Sequence, residues 1–155
     1  MCQPALHIRE FTQQDKAAYL SMATAFYQSD AVSHPIPEAH FIHTFALCTE
    51  HSPYVRGLML EDKGAPAGFA LLALTHSNEA GGLVVWLEEL YVLPEHRGRG
   101  FGKALFAFVE AEYKGTAVRY RLEVAKTNEG ALRMYHALGY EEMPYLPMVK
   151  DIAEG

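Results

Sequence analysis

Apolar residues in this chain follow two rhythms, one helical and one alternating, and their boundaries carry turn residues. Tyr19, Met22, Ala23 and Phe26 recur at three- and four-residue steps, which predicts a helix over 13–27. Thr12 followed by Asp15 resembles a capping box at its start. Pro37 suits a first helical position, and Phe41, Ile42, Phe45 and Cys48 mark a second helix. Short β-rich runs predict strands at 7–11, 55–61, 69–74, 84–92 and 120–124, with Asp62-Lys63-Gly64 turning the first hairpin. Ala104, Leu105, Phe108 and Val109 give a third helix; Ala131, Leu132, Tyr135 and Leu138 give a fourth, closed by Gly139 at the position after the cap. The stretch 140–150 reads as two short strands broken by Pro144 and Pro147.

The element order is therefore β-α-α-β-β-β-α-β-α-β-β. Hairpin strands come first and strand–helix–strand units follow, so the expected class is α/β, a mixed and mostly antiparallel sheet of six to seven strands with helices on both faces. A chain of 155 residues fits a single domain over 1–155. Half of its residues are hydrophobic and 21% are charged, which excludes a disordered chain.

Charge narrows the partners. Thirteen Lys and Arg stand against 19 Asp and Glu, a formal charge of −6, which argues against nucleic-acid backbone binding and favours a cationic ligand. Cys2 and Cys48 show no metal-site spacing and read as reduced thiols of a cytoplasmic protein. No signal peptide is evident, and the uncharged run 64–78 is far short of the ~20 apolar residues that span a bilayer. His40 and His43 share a helix face, but no third ligand is in register, so no metal is expected.

One basic cluster stands out in this acidic chain. A hydrophobic strand runs into Arg97-Gly98-Arg99-Gly100-Phe101-Gly102-Lys103, which opens an amphipathic helix. Glycines let the backbone approach a ligand, and the free N–H groups of a helix start bind anions. The stretch is neither GxxxxGK[ST], since Ala104 follows Lys103, nor GxGxxG. A solvated glycine-rich turn is the plain alternative.

Arg97-x-x-Gly100-x-Gly102 resembles the (Q/R)xxGx(G/A) acetyl-CoA signature of the GNAT acetyltransferase superfamily. Asn128, Ala131, Tyr135, Gly139 and Tyr140 resemble its N-x-x-A-x-x-x-Y-x-x-x-G-[FY] segment. The likeness is strongest over 86–140. It implies the GNAT fold and acetyl-CoA as cosubstrate without a metal. It also implies that the amides of Gly98, Arg99, Gly100, Phe101, Gly102 and Lys103 hold the diphosphate, with Arg97 preceding them. Leu90, Tyr91 and Val92 would pair with the pantetheine arm, Asn128 and Ala131 would line it, and Tyr135 would sit near the sulfur.

Acetyl transfer to an amine needs a proton acceptor, because an alkylammonium of pKa about 10.4 is protonated at neutral pH. Leu87-Glu88-Glu89-Leu90 offers two carboxylates, and strand alternation would turn only one into the acceptor cleft. Alignment with the diamine-acetyltransferase-like branch, similar in outline, makes Glu88 the base or amine anchor and Glu89 paired or structural. Tyr135 is then the acid to the thiolate. The acceptor wall implied by the family draws on Tyr27, Asp30, His34 and Glu123, while Trp86 beside Val84 and Val85 reads as core packing. The expected function is transfer of acetyl from acetyl-CoA to a primary amine of a small molecule or peptide, by direct attack. The acceptor stays open among amino acids, aminoglycosides, peptides and small amines, and a homodimer stays open as well. The alternative is a non-catalytic acyl-CoA-binding regulatory module.

Overall fold

Strand alternation builds the sheet in a computed structural model that describes residues 6–29 and 34–152. In β2 (Val55–Asp62) and β3 (Ala65–Ser77), Met59, Phe69 and Leu71 point to one face and Leu58, Leu60, Ala70 and Leu72 to the other; all are buried. A strand apolar on both faces must be covered on both. With β1 (Leu6–Glu10), β4 (Gly82–Val92) and β5 (Ala117–Leu122) they form a sheet in the order β1-β2-β3-β4-β5. Neighbours are antiparallel except β4 and β5, which run parallel.

One face is covered by α1 (Lys16–Tyr27) and α2 (Glu38–Thr49). There Phe11, Tyr19, Phe26, Phe41, Phe45, Phe69 and Tyr91 form an aromatic core with Met59 and Leu71. Tyr19 is its hub, with ring centroids 5.0–5.8 Å from Phe11, Phe45 and Phe69. The expected capping device is present, since Thr12 N–H donates to Asp15 Oδ2 at 2.7 Å. The other face receives α3 (Phe101–Glu112) through Phe101, Leu105, Phe106 and Val109. Phe106, not the expected Phe108, belongs to that buried stripe.

The residues up to Glu123 form one compact unit and those from Val124 onward a second. The second contains α4 (Glu129–Ala137). Gly139, at φ +95°, closes it in a Schellman motif: Tyr140 N–H donates to Tyr135 C=O and Gly139 N–H to His136 C=O, both at 3.0 Å.

The sheet has five strands among the described residues, not six or seven. The tail expected to supply the others forms none; Tyr145, Leu146, Met148 and Val149 are 60–87% exposed. Pro144 and Pro147 have no N–H to give a ladder, so a segment interrupted twice within four residues gains little from pairing.

Candidate functional site

The site is shaped by an irregularity in β4. Leu71 pairs with Glu89 but Leu72 pairs with Leu87, so Glu88 is an extra residue without a partner on β3. Such a bulge breaks the pleat's alternation and re-aims side chains. The parallel pairing to β5 ends at the same place, with Leu87 opposite Leu122. Beyond it, among the described residues, no strand pairs with the far edge of β4, which is open.

The polar groups of that edge follow from the ladder. Leu93 N–H donates to Ala67 C=O at 2.8 Å, toward β3. By alternation the main chain of Tyr91 also faces β3, while those of Leu90 and Val92 face the open edge. Arg97 Nε takes the Val92 carbonyl at 2.8 Å, and the Arg97 guanidinium lies 5.5 Å from the Tyr91 ring centroid. Tyr91 thus contributes its buried ring to the aromatic core, and the exposed main-chain groups belong to its neighbours.

The glycine loop lies beside this edge. Gly98 and Gly100 have φ of +76° and +86°, and a Cβ on either would meet nothing within 4 Å. Gly100 is the left-handed N-cap of α3, and the first helical bond runs from Ala104 N–H to Gly100 C=O at 3.0 Å. The N–H groups of Phe101, Gly102 and Lys103 therefore precede the ladder, at the positive end of the helix. A Cβ on Gly102 would stand 3.9 Å from Leu90 Cδ2, which fixes the loop against the open strand. Space in front of the loop, free donors and an unpaired strand edge fit a diphosphate continued by an amide-bearing arm. Arg99 is held by the buried Asp62, Nη1 to Oδ2 at 3.0 Å, with His96 Nδ1 3.4 Å from the same oxygen. Sequence reading gave Asp62 only a turn role. Its service to the loop depends on β2 ending there.

Two cavities open on the α1/α2 face. Leu71, Ala73 and Thr75 follow one another along that face of β3. A cavity of about 440 Å³ is lined by Leu71 and Glu89 with Tyr19, Tyr27, Phe41 and His40. Another of about 370 Å³ is lined by Ala73, Thr75, Trp86, Leu87, Glu88 and Glu123. Both glutamates reach the same face, against the expectation that alternation would separate them; the bulge is the reason. Trp86 correspondingly leaves the core, half-buried at a cavity wall.

The carboxylates are electrostatically crowded. Glu89 is half-buried, Tyr27 Oη donates to its Oε2 at 2.5 Å, and its buried Oε1 has no partner. Burial raises its pKa, the Tyr27 bond opposes that, and repulsion from Glu88 adds to it. Glu88 keeps solvent access, yet desolvation by the surrounding protein and then repulsion from Glu123 raise its pKa too. Two neighbouring carboxyls biased toward protonation suit a site that exchanges protons with, or holds, a cation.

Among the other expected residues, Tyr27 is in the site through Glu89 and Glu123 through the smaller cavity. His34 is exposed at the approach to α2, and Asp30 lies outside the described residues. In the second unit, Asn128 Oδ1 accepts from Ala131 N–H at 3.1 Å, capping α4. The Tyr135 ring lies 6.0 Å from that of Tyr140, and burial raises its phenol pKa. Among the described residues no group of three or more His, Cys, Asp or Glu is placed to hold a metal ion, and no helix is long and apolar enough to cross a membrane.

Comparison with known proteins adds to this geometry. A family model described as Acetyltransferase (GNAT) family matches residues 17–140. The thialysine N-epsilon-acetyltransferase of Mus musculus is 26% identical over 148 residues, covering 88% of this chain and 84% of that protein. A possible acetyltransferase from Clostridium difficile 630 superposes with a TM-score of 0.82 at 16% identity, over 97% of this chain and 99% of that one. The structure of AAC(6')-Iy in complex with the bisubstrate analog CoA-S-monomethyl-acetylneamine superposes at 0.76 with 20% identity, over 96% and 99%.

Proposed function

Since this chain belongs to the GNAT acetyltransferase family and is an acetyl-CoA-dependent N-acetyltransferase, we propose that it acetylates a primary amine of a small molecule held against Glu88 at the bulge of β4. The observation that carries this reading is the coincidence of three features. The β4 edge opens where its pairing with β5 stops, the glycine loop lies beside that edge, and Glu88 stands at the opening.

Acetyl-CoA supplies an activated acyl group as a thioester. The N–H groups of the 98–103 loop hold its diphosphate, and the main chains of Leu90 and Val92 pair with its pantetheine arm. Leu90 N–H, on the open edge, donates to the thioester oxygen and stabilises charge developing there. Glu88 takes the proton of the incoming ammonium, directly or through water. Its raised pKa narrows the gap to an amine of about 10.4, which makes the transfer less uphill. Glu89, fixed by Tyr27, and Glu123 place negative charge around the amine. Tyr135 returns a proton to the departing sulfur, with Asn128 and Ala131 lining the arm. Direct attack needs no covalent acyl-enzyme. The cytoplasm is the compartment that suits this cosubstrate and the buried free Cys48.

Release of free CoA thiol across a panel of amines tests the reading. Amine-dependent release supports it. Binding of acetyl-CoA without release to any amine would leave a regulatory module in its place.

A further inference from the structure

Arg121 is set apart from the other arginines of its unit. Arg9 meets Asp15 and Glu61, Arg56 meets Glu10 and Glu112, Arg99 meets Asp62 and Arg119 meets Glu79. Arg97 bonds the Val92 carbonyl. Arg121 is half-buried, and among the described residues it meets no carboxylate. Its guanidinium instead lies over the Trp86 ring, 4.2 Å from the centroid, where parallel pairing sets the two residues opposite one another. Stacking uses the face of a guanidinium and leaves its edge donors to bind in the plane. Trp86 is a wall of the cavity that Glu88 and Glu123 also line. Glu123 follows Arg121 by two residues, just past the end of β5, yet among the described residues no ion pair joins Arg121 to it or to Glu88. A half-buried arginine, oriented on Trp86 and without a carboxylate partner beside the acceptor cavity, is built for an anion that the protein does not itself supply.

We propose that the acceptor carries a carboxylate as well as its reacting amine, and that Arg121, stacked on Trp86, selects it by binding that carboxylate. The inference rests on the acceptor cavity proposed above and narrows its ligand to a class. Along β4, Glu88 is two residues beyond Trp86, a main-chain step of at most about 6.6 Å at ~3.3 Å per residue, to which the two long side chains add their own reach. That separation matches an amino acid whose reacting amine is several bonds from the carboxylate better than it matches an α-amino group. One end of such a molecule meets Glu88 and the other meets Arg121, and the alkyl chain between them lies along Ala73, Thr75 and Leu87.

Matched pairs of acceptors test this: L-lysine against cadaverine, and 5-aminopentanoate against pentylamine, with CoA release followed as kcat and KM. The wild type should favour the carboxylate member of each pair by about 10-fold or more in kcat/KM. Arg121→Gln should lose roughly 10²-fold for the carboxylates, mostly in KM, as expected for a lost bidentate charged contact. It should leave pentylamine within about twofold and improve cadaverine, whose second ammonium the arginine repels, and Arg121→Lys should fall between for the carboxylates, since lysine keeps the charge and loses the fork. An unchanged thermal shift with acetyl-CoA shows that the variants are folded with an intact cosubstrate site. Equal use of both members by the wild type, or an equal loss for both in Arg121→Gln, overturns the proposal. So does turnover of other amines with none of these four. Failure to release CoA with every amine tried overturns instead the reading of the cavity as an acceptor site.

Discussion

Tyr27→Phe isolates the most unusual polar contact of the site. The phenol donates to Glu89 Oε2 at 2.5 Å, and Glu89 Oε1 already has no partner. Removing the hydroxyl leaves both oxygens of a half-buried carboxylate unbonded, while the ring keeps its contacts at 5.1 Å to Phe26 and 5.4 Å to Phe41. A hydrogen bond to a charged group contributes about 1.5–3 kcal/mol, against about 1 for a neutral one. For a chain of this size each kcal/mol moves the midpoint by roughly 2–4 °C. The variant should therefore melt roughly 3–12 °C lower at pH 7.5. The sign of its pH dependence follows from linkage. Glu89 has a folded pKa above its unfolded value, so its contribution to stability is full in acid and declines as pH rises through the folded pKa. The Tyr27 bond offsets part of that decline by holding the charged form. The Tyr27→Phe deficit should thus be largest at neutral pH and shrink on acidification, as Glu89 protonates. Glu89→Gln should by itself melt higher than wild type at pH 7.5 and lose that advantage in acid. In the double variant the Tyr27→Phe deficit should fall to that of a neutral bond. Thermal melts by circular dichroism at two pH values complete the cycle. A deficit that is absent, or constant with pH, or undiminished in the Glu89→Gln background, would refute the assignment of this bond to an ionised, poorly solvated carboxylate.

The cosubstrate site and the proton relay give further tests. If the loop grips the diphosphate as proposed, acetyl-CoA and desulfo-CoA should raise the melting temperature nearly equally, because each ligand binds only the folded state. Gly100→Val should abolish both shifts, since its φ of +86° is strained for a branched residue. Glu88→Gln should lower kcat more than it weakens acetyl-CoA, with a deficit that shrinks toward pH 10 as more amine arrives neutral; a flat deficit would mean anchoring without proton transfer. Tyr135→Phe should fold and bind CoA normally while kcat falls about 10²-fold, the usual effect of losing a general acid. Full turnover with chemistry limiting would return Tyr135 to packing.

Local devices were legible from residue order, and non-local ones were not. Thr12 with Asp15 and Gly139 after α4 announce themselves because each acts within a few residues of itself. The glycine loop was legible for the same reason: its cradle is a property of seven consecutive residues. The bulge is different. It exists because Leu71 and Leu72 pair across a skipped residue, and nothing in Leu87-Glu88-Glu89-Leu90 alone states that register. The expectation of one glutamate on each face failed at that point, and so did the reading of Trp86 as core. Arg121 carries no local signal for the same reason, because its stacking partner is set by a parallel pairing 35 positions away in the chain. The tail was misread in the opposite way, since a locally strand-like composition had no ladder to join.

The two glutamates also show that this local geometry works against the fold. Desolvation raises both pKa values, repulsion from Glu123 adding to it at Glu88 and repulsion from Glu88 at Glu89, and Glu89 keeps an unbonded buried oxygen. Such a group costs about 1–3 kcal/mol or more when charged. At Asp15 and Glu61 the chain avoids this cost. Asp15 and Glu61 are both held below the usual carboxylate range by the Arg9 guanidinium, and Arg9 reaches them at 2.7 and 3.1 Å. The protein therefore contains the means of neutralising buried carboxylates and does not apply them at β4. Arg121, the nearest unpaired cation in that register, is turned onto Trp86 and leaves Glu88 and Glu123 unneutralised. Glu88 and Glu123 on one side and Arg121 on the other are thus left without charged partners, an arrangement that a ligand carrying both charges completes. A molecule with an ammonium at one end and a carboxylate at the other would satisfy both, its ammonium at the Glu88 and Glu123 carboxylates that line the 370 Å³ cavity and its carboxylate at the Arg121 that lies over the Trp86 wall.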